Sequence, residues 1–239
     1  MCLVFINFQT DGKGPVMIGA NREESRRRPT TSPVCCKQHH LRCLLAGADH
    51  GPDGSFPAMG TWLGVNEARM VVAVTNRHDG ELAWADQLRS RGLLAVLLLD
   101  SDLAEDAAQV AQSELAQGGY GGCNFLVADA DAAFVVQARG PSRISVTSLE
   151  PGIHAMTNLD LDDDDDLRVQ LVRTTLEPEG FIASAARLCR DPRIVVSGAE
   201  RGTVSSSLIV AGDEIVLYHI EGNPIGREYQ QFQLLGCSQ

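Results

Sequence analysis

The chain has 239 residues, a formal net charge of −11, and 44% hydrophobic residues. That apolar fraction is enough to bury a large core, which excludes disorder as the main state. The acidic balance disfavours nucleic acid and anionic membranes as partners, because the long-range field repels both.

Cys2–Phe8 and Pro15–Ala20 read as strands joined by a turn at Asp11–Gly14. Pro29–Pro33 is a loop, Leu41–Ala46 is strand-like, and the Gly, Pro and Asp content of Asp49–Gly60 predicts a second loop. Thr61–Val65 and Met70–Thr75 form a hairpin turning at Asn66–Ala68. Ser90–Leu99 and Leu103–Ala116 carry helical patterns, with Asp102 a candidate N-cap for the second. The glycines from Gly118 to Gly122 precede a strand and lack a dinucleotide-binding pattern, so they read as a turn. Four strands follow, at Asn124–Ala128, Ala133–Ala138, Arg143–Ser148 and Gly152–Thr157. Helices are expected over Asp165–Thr175 and Phe181–Cys189, and closing strands near Val204–Ala211, Glu214–Ile220 and Gln230–Leu235. Hairpin-joined strands interrupted twice by helix pairs predict an α+β fold with helices covering mainly antiparallel sheets.

No composition shift divides the chain, so residues 1–239 read as a single domain. The seven cysteines are irregularly spaced, which argues against a secreted disulfide framework. No signal-peptide pattern opens the chain, and Leu93–Leu99 is too short to span a bilayer. The expectation is a cytoplasmic protein without membrane insertion. The oligomeric state is left open.

Cys2 is the main chemical feature. The initiator Met is usually removed before a small residue, and Cys is small. The freed residue would carry an α-amine with a pKa of about 7.7–8.0 and a thiol of about 8.5, so one residue supplies both nucleophile and base. The second strand leads into Asn21-Arg22-Glu23-Glu24. In a hairpin this end lies beside the start of the first strand, which puts Arg22 near the Cys2 thiol, where a cation favours the thiolate.

The Met-Cys opening, the following apolar strand, Ala20-Asn21-Arg22-Glu23-Glu24 and Arg28-Pro29 together resemble the NRDE family, named for an Asn-Arg-Asp-Glu motif. The resemblance extends in order through Gly60–Val65, Val74-Thr75-Asn76, Ser90-Arg91-Gly92, Asn124–Asp129 and Gly152–Asn158. Glu23 stands where the family has Asp. The resemblance implies a four-layer αββα sandwich of the N-terminal-nucleophile (Ntn) hydrolase type, similar to the cysteine amidases that cleave penicillin V and conjugated bile salts. By that likeness Cys2 is the nucleophile, Arg22 supports it, Asn76 and Asn158 serve the oxyanion, and Arg201 is a second active-site Arg. Asn21, Glu23, Glu24 and Trp62 are candidate substrate contacts, although Trp62, like Trp84, also reads as a core side chain. The amidases place an Asp three residues after the first Arg, and Ser25 stands there. The implied partner is a small amide or thioester substrate. Alternatively the same fold is a non-catalytic carrier of haem or an acyl-CoA-like lipid ligand, and no haem-attachment motif is present. No cofactor is required for the hydrolytic reading.

Two local clusters compete for attention. Cys36, His39 or His40, and Cys43 are close enough in sequence to meet one metal ion, but their spacing matches no standard zinc motif, and a metal-free loop is expected. Asp160 and Asp162–Asp166 lack the EF-hand glycine and read as an exposed loop that delivers acids to a helix N-terminus.

Overall fold

The computed structural model describes residues 2–9, 14–28, 30–38, 41–49, 60–80 and 88–234. In chain order the strands are β1 (Leu3–Phe8), β2 (Val16–Ser25), β3 (Val34–Gln38), β4 (Leu41–Leu45), β5 (Leu63–Asn66) and β6 (Val71–Asn76). Helices α1 (Arg91–Leu98) and α2 (Ala104–Ala116) come next, then β7 (Cys123–Ala128), β8 (Ala133–Gly140), β9 (Arg143–Ser148) and β10 (Gly152–Met156). Helices α3 (Leu167–Thr175) and α4 (Phe181–Cys189) precede β11 (Arg201–Ala211), β12 (Ile215–Glu221) and β13 (Gln230–Gln233). One sheet has the order β10-β1-β2-β11-β12-β13, the other β3-β4-β5-β6-β7-β8-β9. The ladders between these strands are antiparallel.

Period-two alternation builds the layers. Val4, Ile6, Ile18 and Ile209 of the first sheet meet Leu44, Leu63, Val71 and Leu126 of the second in a shared core. The opposite face of the second sheet packs Val72, Phe125 and Val127 under α1 and α2. The opposite face of the first packs Leu3, Phe5 and Leu208 under α3 and α4. Buried Ala104, Ala107, Ala108 and Ala111 give α2 a narrow apolar stripe that approaches its sheet closely. A Cβ at Gly19 would meet the Phe5 ring at 2.2 Å, so glycine is what lets that ring lie across β2 and face Phe181 at 6.0 Å. The expected four-layer αββα order is present.

The inner face of the first sheet changes character along its length. Ile6, Ile18, Ile209 and Leu217 form one row across β1, β2, β11 and β12, and Val4, Ala20, Ser207 and His219 form the next. Arg22, Ser205 and Glu221 form the row after that. Apolar packing therefore gives way to polar groups at the end where β1 begins.

Three local expectations change. Residues 34–38, expected in a loop, form β3, and Cys36 stands opposite Cys43 in the hairpin with β4. Asp102 does not cap α2. Its first free amide, at Ala104, is bonded at 2.7 Å by Asp129 from the β7–β8 turn. β2 runs on through Ser25, because β11 pairs with it over that whole length. The expected Asp11–Gly14 turn lies largely, and Trp84 wholly, outside the described residues. No helix among the described residues is long and apolar enough to cross a membrane.

Candidate active site

Cys2 stands at the head of β1. Extending the β1–β2 register, in which Leu3 pairs with Asn21, by one residue sets Cys2 opposite Arg22. By alternation both face the second sheet, at the polar end of the sandwich. A cavity of about 330 Å³ opens there. Cys2, Arg22 and Glu24 form its first-sheet wall, and Asp49, Thr61, Trp62 and Asn76 the opposite side. Ser90, Arg91 and Gly92, at the start of α1, complete it.

Arg22 is 5% exposed and is held from two directions. Its Nη2 lies 3.1 Å from Asp49 Oδ2, and its guanidinium sits 4.1 Å from the Trp62 ring centroid. Arg28 shares the same Asp49 carboxylate at 2.9 Å. Trp62 has room because a Cβ at Gly47 would lie 2.4 Å from its ring. Burial pulls the Arg22 guanidinium below its ordinary value, and Asp49 opposes that pull. Burial also pushes the Cys2 thiol up. The Glu23 carboxylate adds to the rise, and Arg22 opposes it more weakly. The resting thiol is therefore protonated at neutral pH and needs a base to become a nucleophile.

The floor near Asn76 is tied across the two sheets. Asn158 follows β10, and its side-chain amide donates to the Asn76 carbonyl. Thr75 Oγ1 donates to the Thr157 carbonyl at 2.7 Å, and Asn124 Nδ2 to the Leu159 carbonyl at 2.9 Å. Arg77, 2% exposed, bonds Asn124 Oδ1 and the Leu159 carbonyl, each at 3.0 Å, and pairs with Asp79 at 2.8 Å. These contacts hold the segment after β10 against the ends of β6 and β7. Among the described residues nothing bonds the side-chain amide of Asn76, which is left facing the cavity.

A family model described as Transport and Golgi organisation 2 matches residues 1–177. The chain belongs to this family. The human Transport and Golgi organization protein 2 homolog is 29% identical over 140 residues, which span 56% of this chain and 47% of the relative. The chain thus matches about half the length of that curated relative. Among solved structures, a mutant of conjugated bile acid hydrolase from Clostridium perfringens superposes with a TM-score of 0.56 at 12% identity, covering 100% of this chain and 95% of that one. Penicillin V acylase from Agrobacterium tumefaciens gives 0.57 at 13% identity, covering 97% and 85%. At such identity the likeness speaks for the fold alone, and that fold is the Ntn-hydrolase sandwich.

In this chain, Cys2, Arg22, Glu24, Trp62 and Asn76 meet at one cavity. Asn21 and Glu23 do not line it. They lie on the other face of β2, where Asn21 Nδ2 donates to the Cys189 carbonyl at 2.9 Å and Glu23 meets Arg168 of α3 at 3.3 Å. Burial pushes the Glu23 carboxyl up to about 7, against the opposing pull of Arg168. Asn158 acts on Asn76 and is not among the residues lining the cavity. Arg201 is 64% exposed and pairs with Glu24 at 3.2 Å.

Asp49 was not anticipated. Ser25, three residues after Arg22, offers no acid, yet Arg22 does have a carboxylate, supplied from 27 residues further along the chain. Arg28 and Ser90-Arg91-Gly92 belong to the segments that carried the family resemblance, and their place on the wall is the role those segments lacked. The Cys36–Cys43 pair lies elsewhere. Cys43 is buried with its Sγ 3.8 Å from the Leu99 carbonyl, and burial pushes its thiol up to about 12. Cys35 is disulfide-bonded, so not every cysteine is a free thiol. His39 and His40 lie outside the described residues.

Proposed function

We propose that the protein is a cysteine-nucleophile acyl-transfer enzyme acting on a small amide or thioester. The observation that carries this is the position of Cys2: at the head of β1, opposite Arg22, facing a cavity at the polar end of an Ntn-hydrolase fold. With Met1 removed, the Cys2 α-amine takes the thiol proton as Sγ attacks the acyl carbon. The amine then passes that proton to the departing amine or thiol, leaving a thioester on Cys2. Water attacks the thioester, the acid is released, and the thiol is restored. Arg22, fixed by Asp49 and Trp62, offsets the negative charge on sulfur during the attack. The Asn76 side-chain amide, carried on a backbone that Asn158 holds at the Asn76 main-chain carbonyl, stabilises the oxyanion.

A carrier role for haem in the same cavity has weaker support. Among the described lining residues Cys2 is the one soft metal ligand, with no His or Met beside it. The test is intact mass spectrometry after incubation with an electrophilic acyl probe. The expected result is loss of Met1 and one acyl adduct, absent in Cys2→Ala. Complete retention of Met1, or an adduct that survives Cys2→Ala, would overturn the proposal.

A further inference from the structure

The described lining of the cavity carries more positive charge than the acyl-transfer chemistry, which uses Arg22 alone, requires. Among the described residues, Arg22, Arg28, Arg89 and Arg91 line it against two carboxylates, Glu24 and Asp49, in a chain whose net charge is −11. The arginines differ in their partners. Arg22 and Arg28 share Asp49. Arg89 pairs with Glu114 outside the cavity and lies 4.4 Å from the Tyr120 ring centroid. Glu24 is met by Arg201. Arg91 pairs with no carboxylate among the described residues, and the contact it makes is to a neutral group, the Gly122 carbonyl at 2.9 Å.

A half-buried guanidinium without a counterion bears a desolvation cost that an anion would relieve. Arg91 has five N–H donors in a planar fork, and the Gly122 contact leaves most of them free for the bidentate geometry of a carboxylate or phosphate. The backbone supports the same sign of charge. Arg91 is the first residue of α1, and Ser90 caps the helix by accepting from the Leu93 amide at 3.2 Å. The positive end of the helix dipole is therefore at the cavity wall. The contact between Gly60 and Gly92 brings that end in. A Cβ on Gly60 would meet the Gly92 carbonyl carbon at 3.0 Å, and the Thr61 amide donates to the Gly92 carbonyl at 3.0 Å. Trp62, Val74 and Leu88 supply apolar surface on the same lining.

We propose that this cavity binds a ligand with a terminal oxyanion, a carboxylate or a phosphate, and that Arg91 at the start of α1 is the residue that seats it. The proposal rests on the cavity at Cys2 being the ligand site, and not on Cys2 being the nucleophile. In terms of substrate class, it selects acyl compounds bearing a second, anionic group over simple neutral amides.

The test is calorimetric titration of the full chain with glutarate, phenyl phosphate and neutral glutaramide. Wild type, Cys2→Ala, Arg91→Gln and Arg91→Lys would be compared. At least one anion is expected to bind wild type and Cys2→Ala equally, about tenfold or more tighter than glutaramide. That advantage should fall about tenfold in Arg91→Gln and return in part in Arg91→Lys. Preference for glutarate assigns a carboxylate, and preference for phenyl phosphate assigns a phosphate. Equal binding of glutaramide and both anions to wild type overturns the proposal, whether or not Arg91→Gln is stable. An anion advantage unchanged in Arg91→Gln overturns it as well. Anion binding without acylation of Cys2 would sink the nucleophile reading and leave this one standing. Acylation without anion preference would do the reverse.

Discussion

The four residues Asn21-Arg22-Glu23-Glu24 occupy one stretch of β2, yet its two faces do different work. Arg22 and Glu24 look into the cavity with Cys2, while Asn21 and Glu23 are sealed beneath α3 and α4. The cavity face holds charged groups against groups that solvent or a ligand can reach. The helix face holds polar groups whose partners are other parts of the same protein, a carbonyl of α4 and a guanidinium of α3. A motif can thus owe its composition to two requirements at once: chemistry on one side, and attachment of the helical layer on the other.

The comparison can be broken by substitution. On the cavity side, Cys2→Ala should lower kcat by about 10³-fold or more with little change in melting temperature. Steady-state kinetics paired with a thermal melt checks both halves. Arg22→Met should cost about 10²-fold in kcat and leave the fold intact, because Arg28 still holds Asp49 at 2.9 Å. A loss confined to KM would show that Arg22 binds substrate and does not act on the reacting thiol. On the helix side the order reverses. Asn21→Ala strips the buried Cys189 carbonyl of its donor and should cost ~1–3 kcal/mol of unfolding free energy. Its kcat per folded molecule should stay within a few-fold of wild type, which denaturant melts and active-site titration together would establish.

Glu23 sharpens the same contrast through pH. Its carboxyl is raised from 4.5 to about 7 by burial, so the folded protein keeps a proton that the unfolded chain has already released. Stability must then fall as pH rises from about 4.5 to about 7 and level off above that, as far as this group is concerned. Glu23→Gln, which cannot ionise, should lack this component, visible as a pH-dependent difference between the two unfolding curves. A difference that is flat across the window would refute the assignment. The smallest effect belongs to the rim. Arg201, 64% exposed, should cost less than ~1 kcal/mol when changed to Ala, since its pair with Glu24 is screened by solvent.

Much of the architecture was legible because it depends on local pattern. The boundaries of α4 at Phe181 and Cys189 coincide with the apolar periodicity, and the hairpin of β5 and β6 follows from two apolar runs around Asn66. The misses are non-local. Val34–Gln38 has no strong strand signature and becomes a strand because β4 pairs with it. The first amide of α2 is satisfied by Asp129, 25 residues away, and the adjacent Asp102 is not used. The same holds at the site, where Asp49 reaches Arg22 across a loop and Arg91 arrives on a helix start that two glycines allow to approach.

Cys2 and Arg22 show where the boundary lies. Their neighbourhood followed from the sequence, since two apolar runs flanking a turn make a hairpin, and a hairpin sets the start of one strand beside the end of the other. Alternation along β2 likewise separates Arg22 and Glu24 from Asn21 and Glu23, because odd and even positions of a strand point to opposite faces. Which of those faces would be the cavity, and which would lie under helices, was decided by the tertiary structure alone. That choice depends on what packs against each side of the sheet, and those partners come from parts of the chain whose meeting no local pattern encodes.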